Sequence, residues 1–217
     1  YWWEVEQSKL SKTITDNLKW KNYSKGGPYN KWYGNLWTVI DFSNEGHNFL
    51  LNNGNHLPSK NFYFLEGATY SASGSKGVSF RFLPANCLFD VGGSCIFPGT
   101  YENINYFLAV LNSKLTFYIA DCLNPTVNTQ VGDLKRIPFL IPPAELENRV
   151  SILSKNNIEI KQNLCSFHIT ETNFKDCPLR FNLSSTLKER VKDYLDYENL
   201  QNTQLLQWSL IKILKYP

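Results

Sequence analysis

Apolar and polar residues alternate, or form short apolar runs, through the first half of the chain. This pattern is typical of half-buried strands. Five such runs predict strands, at residues 36–42, 61–65, 78–82, 87–90 and 95–98. Gly92-Gly93 lies between the last two runs and predicts a turn that joins them. We therefore predict a mainly antiparallel β unit over residues 29–98 with long loops.

The apolar positions take a helical period after residue 102. A stripe from Ile104 to Ile119 predicts helices over about residues 104–122, and Asn112-Ser113 predicts a break followed by a new helix start. Residues 137–141 (Ile-Pro-Phe-Leu-Ile) predict a short closing strand. Pro143 then suits the first turn of another helix.

The helix after Pro143 has the most regular apolar pattern in the chain. Its seam positions are spaced 4, 3, 4, 3 and 4 residues apart: Leu146, Val150, Leu153, Asn157, Ile160 and Leu164. This heptad spacing with one Asn predicts either packing on the chain's own domain or a helix–helix partner. Helical spacing continues to the end of the chain at Leu187, Val191, Leu195, Leu205, Leu206, Leu210, Ile213 and Leu214.

Together these patterns predict an α/β protein of the α+β kind with two parts. Residues 1–143 form the β unit, its helices and the closing strand, and residues 144–217 form a helical spacer and a helical C-terminal extension. A chain of 217 residues that is 42% hydrophobic has enough apolar surface for a folded core. It begins Tyr1-Trp2-Trp3, without an initiator Met or a signal segment, so we expect a piece of a longer protein.

Charge, cysteines and hydropathy narrow the class of protein. A net charge of +3 is too small for a polybasic binder. No apolar run approaches the length of a membrane span, so we expect no membrane partner. The five cysteines show neither Cys-x-x-Cys nor a metal-ligand spacing, which favours free thiols in a reducing cytoplasm.

No catalytic motif is present. Residues 124–127 (Asn-Pro-Thr-Val) lack the second Pro and the aromatic residue that amino-group DNA methyltransferases use to stack on a flipped base. Residues 74–77 (Gly-Ser-Lys-Gly) lack the spacing of a phosphate-binding loop. No glycine-rich loop suited to S-adenosylmethionine occurs, and Glu159-Ile160-Lys161 is not preceded by the Pro-Asp of a nuclease core.

A basic, aromatic-rich stretch and a flexible polar loop are the candidate binding features. Lys19, Lys21, Lys25 and Lys31 alternate with Trp and Tyr, which suits contact with phosphates and packing on sugars or bases. The loop at 70–77 (Tyr-Ser-Ala-Ser-Gly-Ser-Lys-Gly) is rich in hydrogen-bond donors and can follow a groove. An ordinary solvated loop would have the same composition.

The ordered series of motifs resembles one family. Residues 31–35 (Lys-Trp-Tyr-Gly-Asn) and 123–133, which contain Asn-Pro-Thr-Val-Asn, are similar to PglX-type adenine-specific DNA methyltransferases of BREX phage-defence and related restriction-modification systems. Further matching runs, over a resemblance that spans about residues 28–180, lie at 63–71, 80–82, 89–98, 111–114, 157–160 and 166–174. In the last run His168 and Asn173 depart from the family pattern.

The resemblance implies a target-recognition domain for double-stranded DNA. The family's methylase core and its S-adenosylmethionine site would lie outside this chain, and that core would be a partner. For contact with the DNA backbone we predict Lys25, Lys31, Lys60 and Lys76. For contact with base edges or the groove we predict Tyr70, Ser71, Ser73, Ser75 and Arg81, and we also predict Tyr33 as a DNA-binding residue.

Several alternatives stay open at the level of sequence. Arg81 could read guanine with two donors, or could form a buried ion pair at the strand edge. Asn124, Asn128 and Gln130 could approach DNA, although stabilising the local turn is the favoured role. The whole chain could also be half of a type I restriction specificity subunit, or a non-catalytic carbohydrate- or protein-binding module.

Overall fold

The computed structural model describes residues 1–13, 16–55, 57, 59–180 and 186–210. Within these residues the strands are β1 (Trp20–Ser24), β2 (Thr38–Asp41), β3 (Gly67–Tyr70), β4 (Phe80–Leu83), β5 (Cys87–Phe89) and β6 (Cys95–Ile96). The helices are α1 (Asn44–Asn52), α2 (Ile104–Leu111), α3 (Lys114–Leu123), α4 (Val131–Leu134), α5 (Ala144–Cys165) and α6 (Leu187–Leu210). The predicted α+β class is confirmed. Ile213 and Leu214, which we expected in the last helix, lie outside the described residues.

The strands form two three-stranded sheets. The first has the order β2-β1-β5, in which β1 is antiparallel to β2 and parallel to β5. The second has the order β4-β3-β6 and is antiparallel throughout. The unit is therefore mainly antiparallel, as predicted, but it begins with β1 rather than at residue 29. Gly92-Gly93 connects strands of different sheets, so β5 and β6 are not paired with each other.

The core lies where the second sheet meets helices α2 and α5. Ala68, Phe80 and Leu83 on the sheet are fully buried, and Leu108 faces them from α2. Ile158 on α5 belongs to the same cluster. Burial of such side chains, worth about 1.5–3 kcal/mol each, fixes the sheet on the helices.

Two predicted strands are wrong. Residues 60–62 form a 3₁₀ turn instead of a strand, and Phe64 has a left-handed φ of 62° that interrupts an extended backbone. Residues 137–141 pair with no strand in the described chain; Leu140 is 76% exposed and its carbonyl accepts a hydrogen bond from the Tyr106 hydroxyl. Pro138 within this segment and Pro142 directly after it lack the N–H that a ladder needs.

Helices α2, α3, α5 and α6 lie where the apolar pattern predicts them, whereas α1 and α4 were not predicted. The break at Asn112-Ser113 is confirmed, because the Ser113 hydroxyl accepts a 3.1 Å hydrogen bond from the Thr116 N–H and caps α3. The predicted heptad seam of α5 divides into two parts. Asn157 and Leu164 are buried within the chain, where α5 packs on α2 and α6, whereas Leu146 near the start is exposed. The buried part thus has its partners inside this chain.

The predicted spacer also contacts the β unit directly. Glu171, which follows α5, accepts hydrogen bonds from the backbone N–H groups of Asn35 and Leu36. The division of the chain at residue 143 therefore stays a prediction. Among the described residues, no helix combines the length and the apolar character needed to cross a membrane.

Candidate nucleic-acid interface

Four loops meet at the end of the sheets where β3 finishes. The loop at 71–77 is hydrogen-bonded to the loop at 124–130: the Gly74 N–H donates to Val127 O at 2.8 Å, and the Thr129 N–H donates to Ala72 O at 2.9 Å. We call these two loops, together with residues 25–28 and 90–94, the loop face.

Two further loops join the same surface through Ser71 and Ala72. The Ser71 hydroxyl accepts from the Gly27 N–H at 3.0 Å and donates to Gly27 O at 2.8 Å. The loop at 90–94 joins through the Ala72 N–H, which donates to Gly92 O at 3.3 Å. A side chain on Gly26 would lie 2.6 Å from Gly92 O, so glycine permits this close approach.

The polar groups of loop 124–130 are largely engaged within it. The Asn124 side chain donates to Asn128 O at 3.0 Å and to Asp133 Oδ2 at 2.9 Å, and its own oxygen accepts from the Thr126 hydroxyl at 2.6 Å. The side chain therefore stabilises the turn, which was the favoured role. Asn128 and Gln130 are exposed on the surface.

The predicted contact residues fall into three groups by location. The first group lies together on the loop face and is partly or fully exposed; its members are Lys25, Ser71, Ser73, Ser75 and Lys76. Lys60 lies at the opposite end of β3, because the neighbouring Phe62 stacks on Phe97 beside Gly67. Lys31 is half-buried between the β unit and α2. The third group of predicted contact residues is buried and consists of Tyr33, Tyr70 and Arg81.

The basic stretch that suggested an interface is mostly paired inside the chain. Lys19 lies 3.0 Å from Asp41, and the buried Lys21 lies 2.9 Å from Asp16. The Lys31 ammonium donates to a backbone carbonyl of α2, and burial lowers the pKa of Lys31. Of the four lysines between residues 19 and 31, only Lys25 remains substantially exposed toward the loop face, 3.8 Å from Asp90.

Arg81 lies beneath the loop face rather than on it. Its side chain is 0% exposed, and its Nη1 lies 3.4 Å from the hydroxyl of Ser71. Its Nε and Nη2 atoms have no partner among the described residues, and the predicted alternative of an ion pair is not formed with any of them. Burial lowers the pKa of Arg81 to about 10. In this position the guanidinium lies beneath Ser71, so its contact with a base edge stays a prediction.

Two cations next to the loop face were missed. Lys135 and Arg136 follow α4 directly and are exposed. The Arg136 guanidinium lies 4.0 Å from Asp133, whose other carboxylate oxygen accepts from Asn124. The signal in the sequence was the adjacent Lys-Arg pair just beyond the matching motif at 123–133.

The described residues contain no cluster of metal ligands, and the cleft within the loop face is small. No three His, Cys, Asp or Glu side chains in the described part of the chain are grouped as metal ligands. The cleft between loops 71–77 and 124–130 has a volume of about 40 Å³, which is room for water rather than for a cofactor.

The chain is similar to two adenine-specific methyltransferases. It is 28% identical to "Adenine-specific methyltransferase BrxX" of Escherichia coli O9:H4 (strain HS) over an alignment of 243 positions that covers 99% of this chain. It is 32% identical to "Adenine-specific methyltransferase PglX" of Lacticaseibacillus casei (strain Zhang) over 150 residues, or 64% of this chain. No protein-family model matches the chain.

The chain spans only 20% of the length of BrxX and 12% of the length of PglX. The resemblance to PglX-type enzymes that we predicted from the motifs is confirmed, since both relatives are homologues of this chain.

Proposed function

From its homology to the BrxX and PglX methyltransferases, we propose that this chain is the part of a larger adenine-N6 DNA methyltransferase that recognises double-stranded DNA. The parent enzyme would act in phage defence of the BREX type, in the cytoplasm. The loop face is the observation that carries this proposal, because it joins hydroxyl-rich loops with exposed cations on one surface.

The chemistry of methyl transfer belongs to the rest of such an enzyme. This chain lacks the glycine-rich sequence motif for S-adenosylmethionine, so we derive no catalytic step within it. Methylation of adenine needs the target base turned out of the duplex. A recognition domain contributes by holding the flanking bases in register while another part of the enzyme performs the reaction.

Positive and hydrogen-bonding groups on the loop face have separate roles in this proposal. Lys25, Lys76, Lys135 and Arg136 contact phosphates, which supplies affinity without sequence preference. Ser73 and Ser75 are exposed on a loop whose side chains are mostly small, so the loop can enter a groove of the DNA. There their hydroxyls reach base edges. Ser71 holds this loop on Gly27 and positions it.

An apolar face on α3 suits contact with the methylase core. Leu115 is 61% exposed and Tyr118 is 67% exposed on successive turns of the same side of the helix. Exposed apolar patches of this kind are typical of protein–protein contacts. We propose the methylase core as the occupant, since four fifths of the BrxX length lies outside the region matched here.

Salt-dependent binding to DNA tests the proposal. The chain is titrated with a pool of random duplexes at several salt concentrations, and the logarithm of affinity is plotted against the logarithm of salt. We expect a slope of about −0.9 for each phosphate contacted, with several contacts. Lys76→Ala and Arg136→Ala should each make the slope shallower by about one.

Lys60→Ala and Lys188→Ala are the matched controls, since both lysines are exposed and lie away from the loop face. If Lys60→Ala makes the slope of log affinity against log salt as shallow as Lys76→Ala does, the location of the interface is contradicted. Affinity that hardly responds to salt would instead favour a carbohydrate- or protein-binding module. Two tandem copies of this unit in the parent protein would favour a type I specificity subunit.

A further inference from the structure

A second cavity, of about 250 Å³, lies beside the loop face against the first sheet. Four aromatic side chains line it: Tyr23, Phe42, Tyr63 and Phe89. We call it the aromatic pocket. The ring centroids of Phe42 and Tyr63 lie 6.3 Å apart at an interplanar angle of 77°, and those of Tyr63 and Phe89 lie 5.3 Å apart at 90°.

The size and lining of the aromatic pocket suit one flat ring system. Its volume is below the roughly 300–1,000 Å³ of pockets that hold drug-sized ligands. The near-perpendicular rings form walls at right angles, so a planar group can stack on one ring and meet the edge of the next. Stacking of a base on an aromatic side chain is worth about 1–3 kcal/mol and tolerates any base.

The polar groups at the rim are placed to read the edge of such a ring. One oxygen of Asp90 accepts from the Gly93 N–H at 2.9 Å, and the other lies 3.8 Å from the Lys25 ammonium. That second contact is longer than a hydrogen bond, and a carboxylate has about four acceptor positions, so Asp90 can accept another donor in addition to the neighbouring Tyr23 hydroxyl. The Asn55 side chain also lines the cavity and adds an amide group.

The Tyr23 hydroxyl stays protonated at neutral pH and lies beside Asp90. Burial raises the pKa of Tyr23, and the neighbouring Asp90 raises it further. Protonated phenol, carboxylate and amide together provide donors and acceptors for a ligand that has both.

The aromatic pocket is continuous with the loop face. Asp90 and Val91 form its rim and begin the loop whose Gly92 carbonyl accepts from Ala72. Lys25, which is half-exposed, stands at the boundary between the pocket and the loops. DNA bound on the loop face would therefore pass over the opening of the pocket.

We propose that the aromatic pocket takes up one nucleobase turned out of the duplex at or beside the recognised sequence. The base stacks on the aromatic walls, Asp90 accepts hydrogen bonds from its amino group, and Lys25 contacts its phosphate. This base is distinct from the adenine that is methylated in the rest of the enzyme. The proposal rests on the proposed function, because it requires a duplex on the loop face.

Mismatched duplexes provide the test. A duplex is first selected from the random pool by the whole chain, and each base pair in it is then replaced in turn by a mismatch. A mismatch lowers the cost of turning out a base. We expect one position, opposite an amino-bearing base, at which the mismatch tightens binding by about tenfold.

Two variants and one control identify the aromatic pocket as the cause. Tyr63→Leu removes a stacking ring but keeps apolar volume, and Asp90→Asn removes the charge with little change of shape; either should abolish the tightening at that position. Phe62→Leu is the control, because Phe62 is exposed outside the pocket and stacks on Phe97. It should leave the tightening intact.

The possible failures are distinguishable. If the chain binds the selected duplex with a steep salt slope but no mismatch tightens binding, the pocket proposal is overturned while the proposed function stands. Tightening that persists in both pocket variants would also overturn it. If no duplex binds at low salt, the proposed function and the pocket proposal fall together.

Discussion

The side-chain ammonium of Lys31 donates a 3.0 Å hydrogen bond to the backbone carbonyl of Asn112 at the end of α2. The Asn112 side chain in turn makes two hydrogen bonds to the backbone of Phe80. Its oxygen accepts from the Phe80 N–H at 3.2 Å, and its amide nitrogen donates to the Phe80 carbonyl at 2.9 Å. A cation at the carboxyl end of a helix satisfies a carbonyl that has no partner within the helix and complements the helix dipole. Lys31 therefore joins the β unit to α2.

Lys31→Met should lower stability without changing the salt dependence of DNA binding. Methionine keeps the apolar packing of the stem but leaves the Asn112 carbonyl without this donor, so we expect a loss of about 0.5–1.5 kcal/mol in the free energy of unfolding. Urea denaturation measures the loss, and the salt titration is repeated on the variant. A slope reduced by about one, as expected for Lys76→Ala, would restore Lys31 as a phosphate contact.

Glu171→Gln should weaken the junction between the β unit and the segment after α5. Both carboxylate oxygens accept backbone N–H groups, from Asn35 at 2.8 Å and from Leu36 at 3.0 Å. Glutamine would turn an NH₂ group toward one of these donors, so we expect a loss of about 1–3 kcal/mol by chemical denaturation. Glu102→Gln, at an exposed position, should change stability by less than about 0.5 kcal/mol. Equal effects of the two substitutions would contradict this role.

Gly77→Ala should displace the loop at 71–77. Gly77 has a φ of +81°, and a Cβ there would lie 2.3 Å from Cε2 of Phe117. Strain and steric overlap together should cost about 1–3 kcal/mol and weaken DNA binding, because the loop moves off α3. Gly74→Ala is the control in the same loop, since a Cβ there meets nothing within 4 Å. Denaturation and duplex binding are measured on both variants, and a Gly74 variant as impaired as the Gly77 variant would refute the argument.

The cysteines should differ in reactivity with iodoacetamide at about pH 8. Cys122 is exposed and should react first. Burial raises the pKa of Cys95 to about 12 and that of Cys165 to about 12, so both stay protonated and unreactive in the folded chain. Timed alkylation followed by mass spectrometry measures this order. Modification of Cys95 at the rate of Cys122 would show that the region around β6 opens.

The same raised pKa values predict a loss of stability in alkaline solution. Thiols in the unfolded chain have a pKa of about 8.5. In the folded chain Cys95 and Cys165 hold their protons until about pH 12. The unfolded state therefore releases protons first, and the free energy of unfolding should fall as the pH rises from about 8.5. Denaturation curves at about pH 8 and about pH 10 measure the change, and Cys95→Ala should reduce it.

Local patterns were sufficient for most of the helices. The apolar period and the capping residue Ser113 predict α2 and α3 with their break, and the heptad spacing predicts α5. Helix hydrogen bonds join residues four apart, so the signal is contained in a short window. The wrongly predicted strand at 61–65 shows where a local pattern is insufficient. Aromatic residues can pack on neighbouring elements when they lie in a turn as well as in a strand, so the apolar run alone did not distinguish the two.

The sequence by itself determined the α+β class, four of the six described helices and the family of its relatives, because these depend on local periods and on ordered motifs. The tertiary structure alone decided that β5 pairs with β1 rather than with β6, since backbone hydrogen bonds carry no residue-specific signal for choosing a partner. It also placed Arg81 under the loops and paired Lys19 and Lys21 with acids. Burial and charge pairing depend on residues far away in the chain, which no local pattern contains.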